Sequence, residues 1–113
     1  MPVTELQMFK AEFFRALSHP IRIRLLETLV AGQRSVQELQ DILHVDQPIV
    51  SQQLAVLRAK NIVVARKEGN TVIYALRDRL LADLLDVARR IFNNQLIGSQ
   101  NLLRELQREA RRR

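Results

Sequence analysis

Gln47, Ser51 and Gln52 are the residues whose types and spacing most directly suggest chemistry. At about 100° of helical rotation per residue, they project on one arc of the segment DQPIVSQQLAVLRAKNIV, Asp46 to Val63. An amide side chain presents a donor and an acceptor side by side. That pattern matches the N6 and N7 edge of adenine in the major groove of DNA. A serine hydroxyl serves a base edge or a phosphate. Arg58 falls on the same exposed side, and no carboxylate does, so nothing on that face repels a polyanion. An isolated trio of this kind would simply solvate a helix; its setting decides between the two readings.

The setting begins with Val50, Leu54 and Leu57, whose i, i+4, i+7 spacing gives the same segment a buried side. Gln53 projects with Ile49 and Leu57 toward that side and is expected to be structural. Pro48 belongs in the first turn, where its missing N–H has no intrahelical partner anyway. Upstream, Ser35 and Glu38 form a capping box for a short helix with Val36, Leu39, Ile42 and Leu43 inside. His44-Val45 turns the chain, and Asp46 or Gln47 caps the next helix. A short helix, a tight turn and a polar-faced helix make a helix-turn-helix, whose second helix meets bases with its N-terminal end.

After Asn61 the pattern changes from helical to alternating. Ile62 to Lys67 and Thr71 to Leu76 read as strands joined at Glu68-Gly69-Asn70, with Gly69 free to take positive φ. Arg66 and Lys67 before the tip and Asn70 after it suit a wing that follows the DNA backbone or enters the minor groove. An ordinary turn with solvated charges is the competing reading, weighed equally for Lys67. Val72 and Tyr74 on the return strand read as core. At the N-terminus, Thr4 with Gln7 resembles a capping box, and Leu6, Phe9, Phe13 and Leu17 mark one stripe. Ser18-His19-Pro20 ends that helix and starts another over Ile21 to Val30. Arg22 and Arg24 flank its start, for a phosphate or for a surface salt bridge. Asp78 is expected to cap a long last helix carrying Leu81, Leu84, Leu85, Ala88, Ile91 and Phe92. Gly98-Ser99 would kink or break it before Leu102, Leu103 and Leu106. The expected fold is mainly α with a small β-hairpin, a winged helix-turn-helix in the order α-α-α-α-β-β-α.

A chain of 113 residues fits a single domain over 1–113. Its core is thin, so sharing a face with a second copy is favourable. No run reaches the length of a membrane span, and the N-terminus MPVTELQMFK lacks the apolar core of a signal peptide, so a cytoplasmic protein without membrane contact is expected. The absence of cysteine excludes disulfides, thiolate metal sites and thiol redox sensing. The formal charge of +6 suits a polyanionic partner. Residues 104–113 hold five Arg and two Glu, half of the excess, and are expected to form a mobile basic tail.

Taken in order, FRALSHPIRIRLLETL (14–29), SVQELQDIL (35–43) and QPIVSQQLAVLRAKNIVVARKEGNTVIYALRD (47–78) resemble the ArsR/SmtB-type winged-helix transcriptional regulators. The resemblance covers about Phe14 to Asp78. It implies a homodimer built from the first and last helices, with Leu6, Phe9 and Phe13 and with Leu84, Ala88, Ile91 and Phe92 at the interface. It also implies two recognition helices on an inverted repeat of double-stranded DNA. Gln47, Ser51 and Gln52 match the base-contacting positions of the family, while Pro48 replaces a frequent Ser and Gln52 a frequent His. The family's metal sites do not carry over. The helix reading ELQDIL has no cysteine, and of four ligand positions tied to the last helix only Asp78 is matched, with Leu80, Ile91 and Asn94 at the others. No cofactor is expected. A weak or intersubunit metal site stays open at His44, with Asp41 or Asp46, and at His19, although each sits at a helix end where histidine more often caps or lies exposed.

The leading functional expectation is a dimeric, sequence-specific DNA-binding regulator acting as a repressor. The alternative is an interaction module whose last helix, with Leu102, Leu103 and Leu106, docks a separate effector-sensing protein, with activation as an outcome. An enzyme is disfavoured: there is no phosphate-binding glycine loop and no His set with a carboxylate and a nucleophile.

Overall fold

In a computed structural model, which describes residues 1–96 and 99–112, local hydrogen-bonding signals in the sequence set most of the element boundaries. Helix α1 (Glu5–Leu17) opens with a capping box in which Thr4 Oγ1 accepts from the Gln7 N–H and Gln7 Oε1 accepts from the Thr4 N–H. Helix α2 (Pro20–Val30) starts with proline in its first turn. His19 is its N-cap, and its Nδ1 accepts from the Ile21 N–H at 3.1 Å. The histidine thus satisfies an N–H at a helix start rather than a carbonyl at a helix end.

A two-residue strand, β1 (Arg34–Ser35), leads directly into helix α3 (Val36–Leu43). The expected Ser35–Glu38 capping box is formed, with Ser35 N–H donating to Glu38 Oε1 at 2.9 Å and Glu38 N–H to Ser35 Oγ at 3.1 Å. His44 closes α3 in the left-handed region at φ 55°, and the chain turns through Val45 and Asp46 into helix α4 (Gln47–Ala59). Asp46 occupies the N-cap without a side-chain cap bond; its carbonyl accepts from Ile49 and Val50. At the far end of α4, Asn61 takes φ 58°, its N–H reaches Arg58 O, and Ile62 N–H reaches Leu57 O. This is a Schellman closure, completed by burial of both Leu57 and Ile62.

Strands β2 (Val63–Glu68) and β3 (Thr71–Leu76) pair antiparallel from Val63↔Leu76 to Glu68↔Thr71. The loop is only Gly69-Asn70, one residue shorter than expected, with Gly69 at φ 63°. A positive φ at the first of two loop residues is what a II′ hairpin requires. The sheet has three strands in the order β1-β3-β2, with Arg34↔Tyr74 and Ser35↔Ile73 in register. Val72 and Tyr74, expected in the core, are exposed and half-buried respectively, because the hairpin extends past the helices that cover its base.

The chain forms two compact units, Met1–Asp78 and Arg79–Arg113. In the first, α2, α3 and α4 pack on one another and on the sheet around Leu25, Leu26, Leu29, Leu39, Val50, Leu54, Leu57, Ile62 and Val63, all nearly without solvent contact. In the second, helices α5 (Leu80–Gln95) and α6 (Gln100–Arg112) are in contact, and Leu81 and Leu106 are buried. Arg79, not Asp78, occupies the capping position of α5 and makes no side-chain cap bond. Gly98, the expected kink, and Arg113 lie outside the described residues. Residues 104–112, read from the sequence as a tail, are helical within α6. No helix among the described residues is long and apolar enough to cross a membrane.

Candidate nucleic-acid interface

The polar face of α4 is set by what lies beneath it. Val50, Leu54 and Leu57 are fully buried. That fixes the rotation of the helix, so Gln47, Pro48, Gln52 and Arg58 face solvent and Ser51 is half-buried beside them. Between Gln47 and Ala59 there is no acidic residue. Gln47 Nε2 donates to Ser51 Oγ at 2.6 Å, one helical turn away, which holds the amide and leaves its Oε1 and the serine proton for an outside partner. Gln53 sits inward as expected: its Oε1 accepts from Arg22 Nη1 at 2.8 Å.

Arg22 bonds within the chain rather than to a carboxylate. Its Nε donates to Ala16 O at 2.7 Å and its Nη2 to Arg15 O at 3.4 Å. The guanidinium therefore satisfies the Ala16 carbonyl at the end of α1 and shares the Arg15 carbonyl with the Ser18 N–H, while holding α4 through Gln53. It stabilises the platform on which the recognition helix rests.

The hairpin tip comes to the N-terminal end of α4. Gln47, Asn70, Thr71 and Val72 line one groove with Ser35, Val36, Gln37 and Gln40 of α3. Asn70 and Gln47 are thus brought to a common surface. Gln37, Gln40 and Thr71 belong to it as well, and they were not singled out from the sequence. Gln37 and Gln40 stand three apart on α3, a spacing that puts both on one helical face. The two wing cations diverge. Lys67 is exposed on the sheet face shared with Val63 and Ala65; Arg66 projects from the other face, where Nη2 meets Glu68 Oε2 at 2.8 Å and Nη1 meets Gln33 Oε1 at 2.6 Å. Arg58 lies in the last turn of α4, about 16 Å from Gln47 along the axis. That puts it at the opposite end of the helix from the Gln47–Ser51 pair.

Carboxylates near the interface are held in place. The Ser35 backbone N–H, and secondarily its hydroxyl, keep the Glu38 carboxyl below its ordinary pKa. Asp41 accepts from Gln37 Nε2 at 3.0 Å. Asp41, His44 and Asp46 line one shallow depression. Among the described residues, however, no group of three or more His, Cys, Asp or Glu is arranged to hold a metal ion.

The apolar stripes expected at a dimer interface reach solvent. On α1, Leu6 and Phe9 are exposed and Phe13 is half-buried; Met8, Phe9 and Phe13 line a groove with Ala59, Lys60 and Asn61, edged by Glu5 and Glu12. On α5, Ile91 and Phe92 are exposed, and Leu84 and Ala88 are half-buried.

Comparison with known proteins agrees with this construction. Residues 19–64, from the N-cap of α2 into β2, match the family described as bacterial regulatory protein, arsR family. The chain is 43% identical over 102 residues to the HTH-type transcriptional regulator Rv0081 of Mycobacterium tuberculosis, covering 89% of this chain and 90% of the relative. The crystal structure of M. tuberculosis Rv0081 superposes with a TM-score of 0.77 at 45% identity, covering 82% of this chain and 94% of the other. The biofilm growth-associated repressor of Xylella fastidiosa is 40% identical over 85 residues, 75% of each chain. With its buried-side helix, amide-lined face and hairpin wing, the chain belongs to the bacterial arsR family of winged helix-turn-helix transcriptional regulators, and it is not an enzyme.

Proposed function

We propose that the chain is a homodimeric repressor that occludes a promoter by binding an inverted repeat in double-stranded DNA. Gln47, Ser51 and Gln52 read base edges in the major groove, with Pro48 packed against the same surface. Arg58, Lys67 and Asn70 follow the sugar-phosphate backbone and the neighbouring minor groove, with Arg66 carried on the same wing. Leu6, Phe9 and Phe13, with Leu84, Ala88, Ile91 and Phe92, join the two protomers. The observation that carries this reading is the orientation of α4, which buries Val50, Leu54 and Leu57 completely and turns outward an acid-free face of amides and a hydroxyl. The exposed Leu6 and Phe9 of α1 support dimerisation, since a monomer would leave Phe9 73% exposed.

Selection from a randomised duplex pool tests the reading. The expected product is a palindromic motif with half-sites about 10 base pairs apart, or a multiple of that. Recovery of no symmetric motif overturns it. Sedimentation of Phe9→Glu should show a monomer with unchanged helix content and greatly weakened binding to the selected duplex. A second reading, docking of a separate sensor protein on the last helix, rests on Leu102 of α6, which is 49% exposed. A chain ending at Leu96 that still dimerises but loses a co-purifying partner would favour it.

A further inference from the structure

The wing carries an arginine that is already occupied. Arg66 and Glu68 stand two apart on β2 and so on one face of the strand, and their side chains meet at 2.8 Å. The same guanidinium crosses β3 to reach Gln33 Oε1 at 2.6 Å, just ahead of β1, at the other edge of the sheet. Both terminal nitrogens therefore bond to the protein itself, and the carboxylate cancels the charge that a phosphate would otherwise meet. Lys67, on the opposite face, stands across from the uncharged Val72.

We propose that Glu68, with Gln33, acts as a guard on Arg66, so that the wing binds DNA through Lys67 and Asn70 while Arg66 stays paired, setting the hairpin's tilt rather than contacting phosphate. This rests on the DNA-binding reading above and refines it: Arg66 is a positioning residue in the wild-type wing, and Glu68 sets how much of the wing's charge the DNA meets. The exchange is physically accessible. The pair is exposed, with half of the Arg66 side chain in solvent, and an exposed ion pair holds its partners by a factor of only about five in equilibrium terms. Removing the Glu68 charge leaves the arginine held only by the neutral Gln33 amide oxygen.

The test is the salt dependence of binding to a fluorescein-labelled, mixed-sequence duplex of about 30 base pairs, long enough for two half-sites. Each phosphate neutralised contributes about −0.9 to the slope of log K against log salt. Wild type, Arg66→Ala, Glu68→Gln and the double variant are compared, with Gln33→Ala as a second route to release. The expected pattern has Arg66→Ala leaving the slope unchanged. Glu68→Gln should tighten binding by up to about fivefold per wing and steepen the slope by about 0.9 per wing. The double variant should return to the wild-type slope, and Gln33→Ala should fall between wild type and Glu68→Gln. A flatter slope in Arg66→Ala alone overturns the guard, because Arg66 would already be on phosphate. A Glu68→Gln gain that survives in the double variant also overturns it, because simple repulsion by the carboxylate would then explain the effect. Failure of the wild-type protein to bind duplex DNA at all overturns the underlying DNA-binding reading and the guard with it.

Discussion

Arg22 Nη1 donates to Gln53 Oε1 at 2.8 Å across thirty-one residues of sequence, and the same guanidinium closes the end of α1 through Ala16 O at 2.7 Å. Three helices are thereby pinned by one planar group. The amide-lined face of α4 and the side that meets Arg22 belong to the same helix, so a loss at Arg22 should be felt as a loosened α4.

Arg22→Ala is expected to lower stability by about 1.5–3 kcal/mol, the range for hydrogen bonds that involve a charged group. Arg22→Lys should recover little of it, since an ammonium cannot bond to a carbonyl and an amide in a fixed fork. Urea denaturation of the three proteins measures this. DNA affinity should fall with no change in base preference, and a changed preference would mean that Arg22 itself reads the operator.

Gln52→Ala is expected to relax base preference at one position of each half-site, with a discrimination loss of about 1–3 kcal/mol. Lys67→Ala should instead weaken all sequences alike and flatten the salt slope by about 0.9 per wing. Competition between the selected operator and single-base variants separates the two effects. Ser51→Ala should resemble Gln52→Ala in kind, because it also frees the Gln47 amide that Ser51 Oγ holds at 2.6 Å. Equal effects of all three on preference would remove the division between reading and holding.

What could be read in advance follows the range of the forces. The boxes at Thr4 with Gln7 and Ser35 with Glu38 join residues three apart, so the sequence displays both partners together. The stripe of Val50, Leu54 and Leu57 displays the rotation of α4 in the same way. The site was legible to the extent that it sits on that helix. The bonds that finish it were not: Arg66 meets Gln33 thirty-three residues away, and β1 is a strand only because Tyr74 and Ile73 of β3 lie beside it. Two residues have no periodicity of their own. The N-cap of α5 was misplaced by one position for a similar reason, since Asp78 has the better capping chemistry but the chain is still turning out of β3 there, and the helix begins at Leu80.

Two non-glycine residues in the left-handed region mark sites where the backbone conformation, not the side chain, is the requirement: His44 at φ 55° and Asn61 at φ 58°. An L-residue there costs about 1–2 kcal/mol, less for Asn. His44→Gly should therefore raise stability by about 0.5–1 kcal/mol after the entropy of glycine is subtracted, and Asn61→Gly by less. Asn61→Ala should lower it by about 1 kcal/mol. Thermal melts of the three variants check the order. A destabilising His44→Gly would show that the imidazole does more than close α3.

Acid should weaken the first helix of the helix-turn-helix through Glu38. The Ser35 N–H, then its hydroxyl, hold the carboxyl below its ordinary value of 4.5, so the folded state favours the charged form. Such a group stabilises the fold at pH above its unfolded pKa, and that contribution disappears as pH falls through the lower, folded value. Glu38→Gln keeps an acceptor for the Ser35 N–H but not the charge. Its melting temperature should lie below wild type near pH 7, and the gap should close on acidification from 4.5 downward. Asp86 follows the same sign, since hydrogen bonding from Arg89, assisted by the charge of Arg90, holds its carboxyl below 3.8. The gap for Asp86→Asn should likewise close on acidification. A Glu38→Gln difference that stays constant down to about pH 3 would mean that the capping box is held by geometry alone and that the carboxylate charge adds nothing to it.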